Sequence, residues 1–318
     1  MARVDRKNPD AKNFGLGSKN LFHAGRLAIH EGMASHASRA AMTDRWRQFY
    51  SYVRAEFSLS DLRRIQVSHL EQYAVHLHDR LDRGEIGAAT AQNLLSAVNR
   101  VLEIARGDRR VRLDPVRGAG LPQRSGIAIE QNAMPQSVHD RLKEVLPDRI
   151  AAQLDLQRLL GLRFEESAKI DARGLLLQAQ DRGSIRIEDG TKGGRSRIVP
   201  LTSDRQLEAL RRAAEIQGAH RSLIPPELDY SHYRESCYQY GIRFHSERHA
   251  YAQDRYAVLA GAACPIAAGI PHRGHHAYLA AELGISAQEA RDLDHRVRSL
   301  VAAELGHGRI DVTNNYLG

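Results

Sequence analysis

Two cysteines in 318 residues, Cys237 and Cys264, are too few for a disulfide framework, and their separation fits no common zinc pattern. A reducing compartment suits such a chain. Lysine is scarce as well: it supplies six of the 46 basic residues, and beyond Lys169 only Lys192 remains, so that position asks for an explanation. Long apolar runs are missing. The most apolar stretch, from Tyr256 to Ile270, is interrupted by Gly261 and Pro265, which makes it a buried segment and not a membrane span. No charged-then-apolar leader opens the sequence. These absences predict a soluble, cytoplasmic protein with no membrane partner.

What is abundant is arginine. The formal net charge is +8, with 46 basic against 38 acidic residues and a pI near 9.6. A polyanion is therefore a natural partner, although basic charge alone does not demand nucleic acid. About half of the excess lies in the first thirty residues, where Arg3, Arg6, Lys7, Lys12, Lys19 and Arg26 face only Asp5 and Asp10. Residues 1–37 read either as a mobile basic arm that tracks phosphates or as a solvated terminus.

The length suggests about two domains, and the pattern predicts a mainly α chain with a small antiparallel β-sheet (α+β). Residues 38–112 read as a helical domain. Trp46, Phe49, Tyr50, Val53 and Phe57 form a stripe at helical spacing with Thr43 ahead as a cap. Ser68 and Glu71 look like a capping box before Leu70, Tyr73, Leu77 and Leu81. A third helix turns Leu94, Leu95, Val98 and Leu102 inward. Its other face carries Gln92, Asn93, Ser96, Asn99 and Arg100, which suit either contact with DNA phosphates and base edges or plain solvation. Pro115, Gly118, Gly120, Pro122, Gly126 and Pro135 mark residues 113–135 as a linker. The second domain, 136–318, should hold helices at 136–147 and 149–160 and another after Arg163. Strands are expected at 174–179, 184–188 and 195–201, with Asp189-Gly190-Thr191-Lys192-Gly193-Gly194 joining the last two as a hairpin. Everything beyond Asp204 should be helical, with a late helix opening at Ser286, boxed by Glu289, and ending at Gly306.

Four clusters in this domain carry chemistry. In Leu160-Gly161-Leu162-Arg163-Phe164-Glu165-Glu166 a glycine leaves Arg163 at a junction of elements, where its planar fork suits two phosphate oxygens; the plain alternative is an ion pair with Glu166. Lys192 at a glycine-rich tip suits proton donation to a departing alkoxide, or is simply an exposed turn. His245 and Arg248, three apart on a helix, share a face. The last cluster is Leu305-Gly306-His307 with Tyr316 nine residues after the histidine. Together they hold what metal-free attack on a phosphodiester needs: cations for the pentavalent oxygens, an acid for the leaving oxygen, and a phenol whose ordinary pKa of about 10 would be eased by cationic neighbours, with His245 as base.

These clusters, in this order, resemble the tyrosine recombinase (phage integrase) family over about residues 40–318. The resemblance implies a core-binding domain and a catalytic domain clamped around duplex DNA. It assigns Arg163, Arg248 and His307 to phosphorane stabilisation, His245 to proton transfer, Lys192 to leaving-group protonation, Glu166 to structural support, and Tyr316 to nucleophilic attack that leaves a 3′-phosphotyrosyl link. No metal or nucleotide cofactor is called for. Arg195 joins Gln92, Asn93, Asn99 and Arg100 as a DNA contact. The implied partners are double-stranded DNA, further subunits in a tetramer on two paired sites, and accessory DNA-bending proteins; the implied setting is nucleoid-associated. A type IB topoisomerase-like enzyme and a non-catalytic DNA-binding regulator are the alternatives.

Three departures from the family pattern stand out. Glu247 occupies a position that is usually leucine, so an apolar contact should be altered or turned to solvent. The interval from His249 to Leu305 is long, which predicts an insertion at about 262–300 facing DNA or a partner; the spacing of its histidines with Cys264 is poor for a metal site. The sequence also ends two residues after Tyr316, where many relatives continue into a tail that docks on a neighbouring subunit.

Overall fold

The computed structural model describes residues 8–16 and 20–318. The expected phosphate-tracking residues Arg3, Arg6, Lys7 and Lys19 lie outside them. The chain divides into two compact units, Met1–Ser125 and Gly126–Gly318.

The first unit holds α1 (Leu21–Gly32), α2 (His36–Phe57), α3 (Val67–Asp82) and α4 (Ala88–Arg106). Their apolar stripes meet in one core around Trp46, Phe49, Tyr73, Leu77, Leu95 and Val98. The segment expected as an arm is partly built into that core: α1, capped by Asn20, buries Leu21, Ala24, Ala28 and Ile29. Two caps differ from expectation. Helix α2 starts earlier, with Ser35 as its N-cap, so Thr43 lies inside it. In α3 the backbone N–H of Gln66 donates to His69 Nδ1 at 2.9 Å, and Ser68 and Glu71 lie within the helix.

The expected DNA face of α4 is corrected at two positions. Asn99 is buried and exchanges two hydrogen bonds with the backbone of Leu113, at 2.7 and 3.0 Å. Gln92, also buried, donates to the carbonyl of Pro122. The segment after α4 folds back over this face, with Leu113 and Leu121 in the core, so these amides replace ladder bonds that an irregular segment lacks. Asn93 and Arg100 are half-buried; Arg100 pairs with Glu103 at 3.3 Å.

The second unit is helical around one hairpin, as expected of the α+β class. Its elements are α5 (Gln136–Val145), α6 (Asp148–Leu160), α7 (Phe164–Lys169), α8 (Ala172–Arg182), β1 (Ser184–Ile187), β2 (Arg197–Pro200), α9 (Asp204–Gln217), α10 (Tyr230–Tyr238), α11 (His245–Ala260), α12 (Pro265–Ala268), α13 (His275–Leu283), α14 (Ala287–Glu304) and α15 (Asn314–Leu317). The strands pair antiparallel, Ile185 against Val199 and Ile187 against Arg197. The strand expected at 174–179 is instead part of α8, with Leu175 and Ala179 inward and Leu177 exposed. Helix α14 is capped by the expected Ser286–Glu289 box.

Within the stretch expected as an insertion, Cys264 and Val297 belong to the main core of the unit, with Leu156, Leu160, Tyr256, Tyr316 and Leu317. Residues 262–286 form a satellite whose Ala262 and Leu279 pack with Ala290 of α14 in a small separate core. Glu247 is neither apolar-facing nor solvent-facing. It is fully buried, 2.8 Å from His139 Nδ1 and accepting from Arg158 at 2.9 Å; His139 also meets Asp155 at 3.1 Å. A carboxylate at that depth is tolerable only because two partners meet it.

Candidate active site

Helix α6 ends at Gly161, whose φ of +62° turns the chain sharply, and a β-carbon there would stand 2.5 Å from the Tyr251 ring. The turn presents the Gly161 carbonyl inward and starts α7 with Arg163 as its cap residue. The Arg163 backbone N–H donates to Glu166 at 2.7 Å and its guanidinium to the same carboxylate at 2.6 Å. At the far end of the unit's core, α14 stops at Leu305, and its carbonyl accepts from both Arg163 (3.4 Å) and Arg248. Arg248, on α11, is wholly buried and also donates to the Gly161 carbonyl. Two helix ends thus hold the two guanidinium groups by main-chain oxygens.

A third arginine completes the cluster. Arg197 of β2 is buried, forks onto Glu166 at 2.8 and 2.7 Å, and donates to the Glu304 carbonyl at 2.7 Å. It was not singled out from the sequence, although the signal was there. Along β2 the inward positions are Arg197 and Val199 while Ile198 points outward, so period-two alternation places a charge on the core face. Burial by itself would push Glu166 upward; the Arg197 fork, with Arg248 and the Arg163 N–H, overcomes this and holds it at about 2. Three guanidinium groups around one carboxylate leave the site strongly positive.

Tyr316, on α15, is buried with its hydroxyl 3.3 Å from His245 Nε2. Its ring lies 4.6 Å from the His249 ring, 5.2 Å from that of His307, and 6.0 Å from the Arg248 guanidinium carbon. All three imidazoles are drawn below the usual histidine range by burial first and then by the cations: His307 to about 3, His249 to about 4, and His245 downward despite one edge open to solvent. Burial also draws Arg248 down to about 10, which leaves it protonated near neutrality. Neutral His245 is in the form that accepts a proton from the phenol.

Arg248 Nε and His307 Nδ1 are buried and have no hydrogen-bond partner among the described residues. A buried polar atom left unmatched costs about 1–3 kcal/mol, so the Arg248 donor and the His307 ring nitrogen beside one tyrosine point to a polar group that meets them. The structure therefore brings together Arg163, His245, Arg248, His307 and Tyr316. Lys192 it leaves apart: the lysine is exposed on the 189–194 connection, with no hydrogen bond or ion pair to the cluster among the described residues. Its loop is nonetheless seated beside the site, because a β-carbon on Gly190 would stand 2.7 Å from the Glu165 carbonyl. Arg195 is exposed and close to Gly308, where an added β-carbon would meet its guanidinium at 2.5 Å.

The integrase family model matches residues 123–254, a stretch that includes Arg163, the hairpin and His245–Arg248. A comparison with curated proteins finds no match. Among solved structures, the lambda integrase dimer bound to a COC′ core site is 12% identical, with a TM-score of 0.55 over 92% of this chain and 75% of that one. The Tn1549 transposon integrase in complex with a circular-intermediate DNA is 11% identical, with a TM-score of 0.54 over 95% of this chain and 96% of that one. At such identities the likeness speaks for the fold. Together with the integrase match over residues 123–254, it gives this chain the fold of those DNA-bound integrases.

Proposed function

We propose that the protein is a site-specific recombinase that cleaves and rejoins duplex DNA through a 3′-phosphotyrosyl link on Tyr316. The observation that carries the reading is the Tyr316 hydroxyl lying 3.3 Å from His245 in a pocket where Arg248 Nε and His307 Nδ1 are buried and unmatched. The phenol oxygen attacks the scissile phosphorus, and its proton passes to His245. Arg163, Arg248 and His307 donate to the oxygens that gain charge in the pentavalent state. The bond to the 5′ oxygen breaks, and Lys192 protonates that oxygen after its exposed tip moves to the DNA. Attack by a partner strand's 5′-hydroxyl reverses the steps and releases Tyr316. Since Tyr316 already lies beside Arg248 and His245 of its own chain, each subunit cuts with its own machinery in this reading.

Exchange between two duplexes requires four strand cuts, one per tyrosine, so the working assembly is a tetramer on paired sites. Arg195 on the rim of the site, and Asn93 and Arg100 on α4, are the DNA contacts of this reading. Accessory DNA-bending proteins, a mobile genetic element as the setting, and action on cytoplasmic, nucleoid-associated DNA belong to the same proposal. Among the described residues no helix is long and apolar enough to cross a membrane.

The test is to mix the protein with nicked duplexes taken from DNA flanking its gene, denature, and map any covalent adduct. An adduct on Tyr316, absent in Tyr316→Phe, is the expected result, and joining of two separate site-bearing duplexes distinguishes recombination from simple relaxation. Tight DNA binding with no adduct would overturn the catalytic reading in favour of a regulator.

A further inference from the structure

The mechanism uses Tyr316 but does not say what holds it. Ties from several elements hold the five residues from Asn314 to Gly318. The Asn314 carbonyl accepts from the Ala128 N–H at 2.8 Å, and the Tyr316 carbonyl accepts from Gln253 at 3.1 Å. Two further ties come from one side chain. Arg298, buried on α14, donates to the Asn314 side chain at 2.8 Å and to the Gly318 main-chain oxygen at 3.2 Å, gripping the segment two residues before and two residues after the tyrosine.

Arg298 is itself aligned. Its Nε lies 2.9 and 3.0 Å from the two oxygens of Asp294, one turn earlier. Asp294 also accepts from the Tyr256 hydroxyl at 2.6 Å, and His275 and His276 approach it at 3.4 and 3.3 Å. Burial alone would raise the Asp294 carboxyl, yet these partners hold it well below the usual range, so it is an anion that fixes the guanidinium. Both histidines come from the 262–286 satellite. That satellite also touches the nucleophile segment directly: His272 Nδ1 lies 2.8 Å from the Gly318 oxygen, and a β-carbon on Gly318 would meet Ile266 and Pro265 of α12 at 3.0 and 3.3 Å.

We propose that Arg298 is a positioning residue for the Tyr316 nucleophile, aligned by Asp294, and that the 262–286 satellite holds the nucleophile segment from within the same chain. The inference rests on Tyr316 being the nucleophile. A guanidinium that satisfies three partners at once fixes the segment in one place, and attack geometry is sensitive to displacements of an ångström.

The test is single-turnover cleavage of a nicked suicide duplex, reading the rate constant separately from the fraction of enzyme that reacts. Arg298→Gln should cleave about 10–100-fold more slowly with nearly full amplitude and parental DNA affinity. Asn314→Ala, which leaves the Asp294–Arg298 pair intact, should slow cleavage by about 3–10-fold. Arg298→Lys should fall between parent and Arg298→Gln, since one ammonium cannot hold all three partners. A substrate with sulfur in place of the bridging 5′ oxygen needs no acid for its leaving group. It should restore Lys192→Ala and leave Arg298→Gln slow. If Arg298→Gln and Asn314→Ala both react at the parental rate constant, or lose only amplitude, Arg298 has a purely structural role and the inference fails. If the parent itself forms no adduct on Tyr316, the proposed function falls and this inference with it.

Discussion

Replacing Arg197 by methionine keeps the aliphatic stem but deletes the fork that meets Glu166 at 2.8 and 2.7 Å. Holding Glu166 at about 2 instead of 4.5 corresponds to about 3 kcal/mol in favour of its ionised form, at about 1.4 kcal/mol for each tenfold change. Arg197 is the foremost of the groups that lower it, with Arg248 and the Arg163 N–H supplying the rest. Removing one partner of a buried pair also exposes the other to the full cost of its burial, about 3–5 kcal/mol. Arg197→Met is therefore expected to cost about 2–4 kcal/mol at pH 7. The sign with pH follows from the lowered carboxyl: its stabilisation is complete above about 4.5 and lost as pH falls toward 2. The gap between parent and variant should accordingly narrow as the pH is lowered through that window. Urea unfolding offers an internal control, because the chain's one tryptophan, Trp46, lies in the first unit. The transition seen by far-ultraviolet circular dichroism should move for the second unit while the Trp46 fluorescence transition stays. A loss below about 1 kcal/mol at pH 7, or a gap unchanged down to pH 3, would refute the account of Glu166.

Further outcomes follow from other positions. Glu247→Leu should destabilise the second unit by about 3–5 kcal/mol because His139 and Arg158 lose their buried partner; a thermal melt equal to the parent would count against this. Gly161→Ala places a β-carbon 2.5 Å from Tyr251 at a φ of +62°, so it should cost about 2–4 kcal/mol and reduce adduct formation more than tenfold as the Arg248 anchor shifts. His307 and His249 should stay neutral in the free protein well below pH 6.5, titrating near 3 and 4 in histidine ring-proton spectra. Any stability they contribute is then full above 6.5 and declines as pH falls, and a midpoint near 6.5 for both would contradict their burial among cations.

Local patterns were legible where one face of one element decided the outcome. The stripe from Trp46 to Phe57, the Ser286–Glu289 cap and the glycine-rich hairpin all depend on neighbours within a few residues. The Leu175-Leu176-Leu177 run suits strand and helix equally at that length, and only packing on the neighbouring helix settles it. Asn99 and Gln92 looked like a wet face because a helical wheel does not show that residues 113–125 fold back across it. The buried Glu247 was opaque for a related reason: its partner His139 is 108 positions away. Arg163, His245, Arg248, His307 and Tyr316 could be named from motif order, but the way Arg197 and Arg298 hold the cluster depends on distant groups.

The oxygens that orient Arg248 are those of Gly161 and Leu305, and both belong to the main chain. Every amino acid carries that oxygen, so the side chain at position 305 is free to drift among apolar types without loosening the guanidinium. What cannot drift is the path of the chain that aims those oxygens. At Gly306, φ is +68° and a β-carbon would press on Arg197 at 2.9 Å, as one on Gly161 would press on Tyr251. A saturation library selected for recombination should thus show its strictest non-catalytic positions at these two glycines. Leu305, which lends its oxygen from an ordinary helix end, would look tolerant among apolar types, and a map of mutational sensitivity would outline the site by its turns instead of by its contacts.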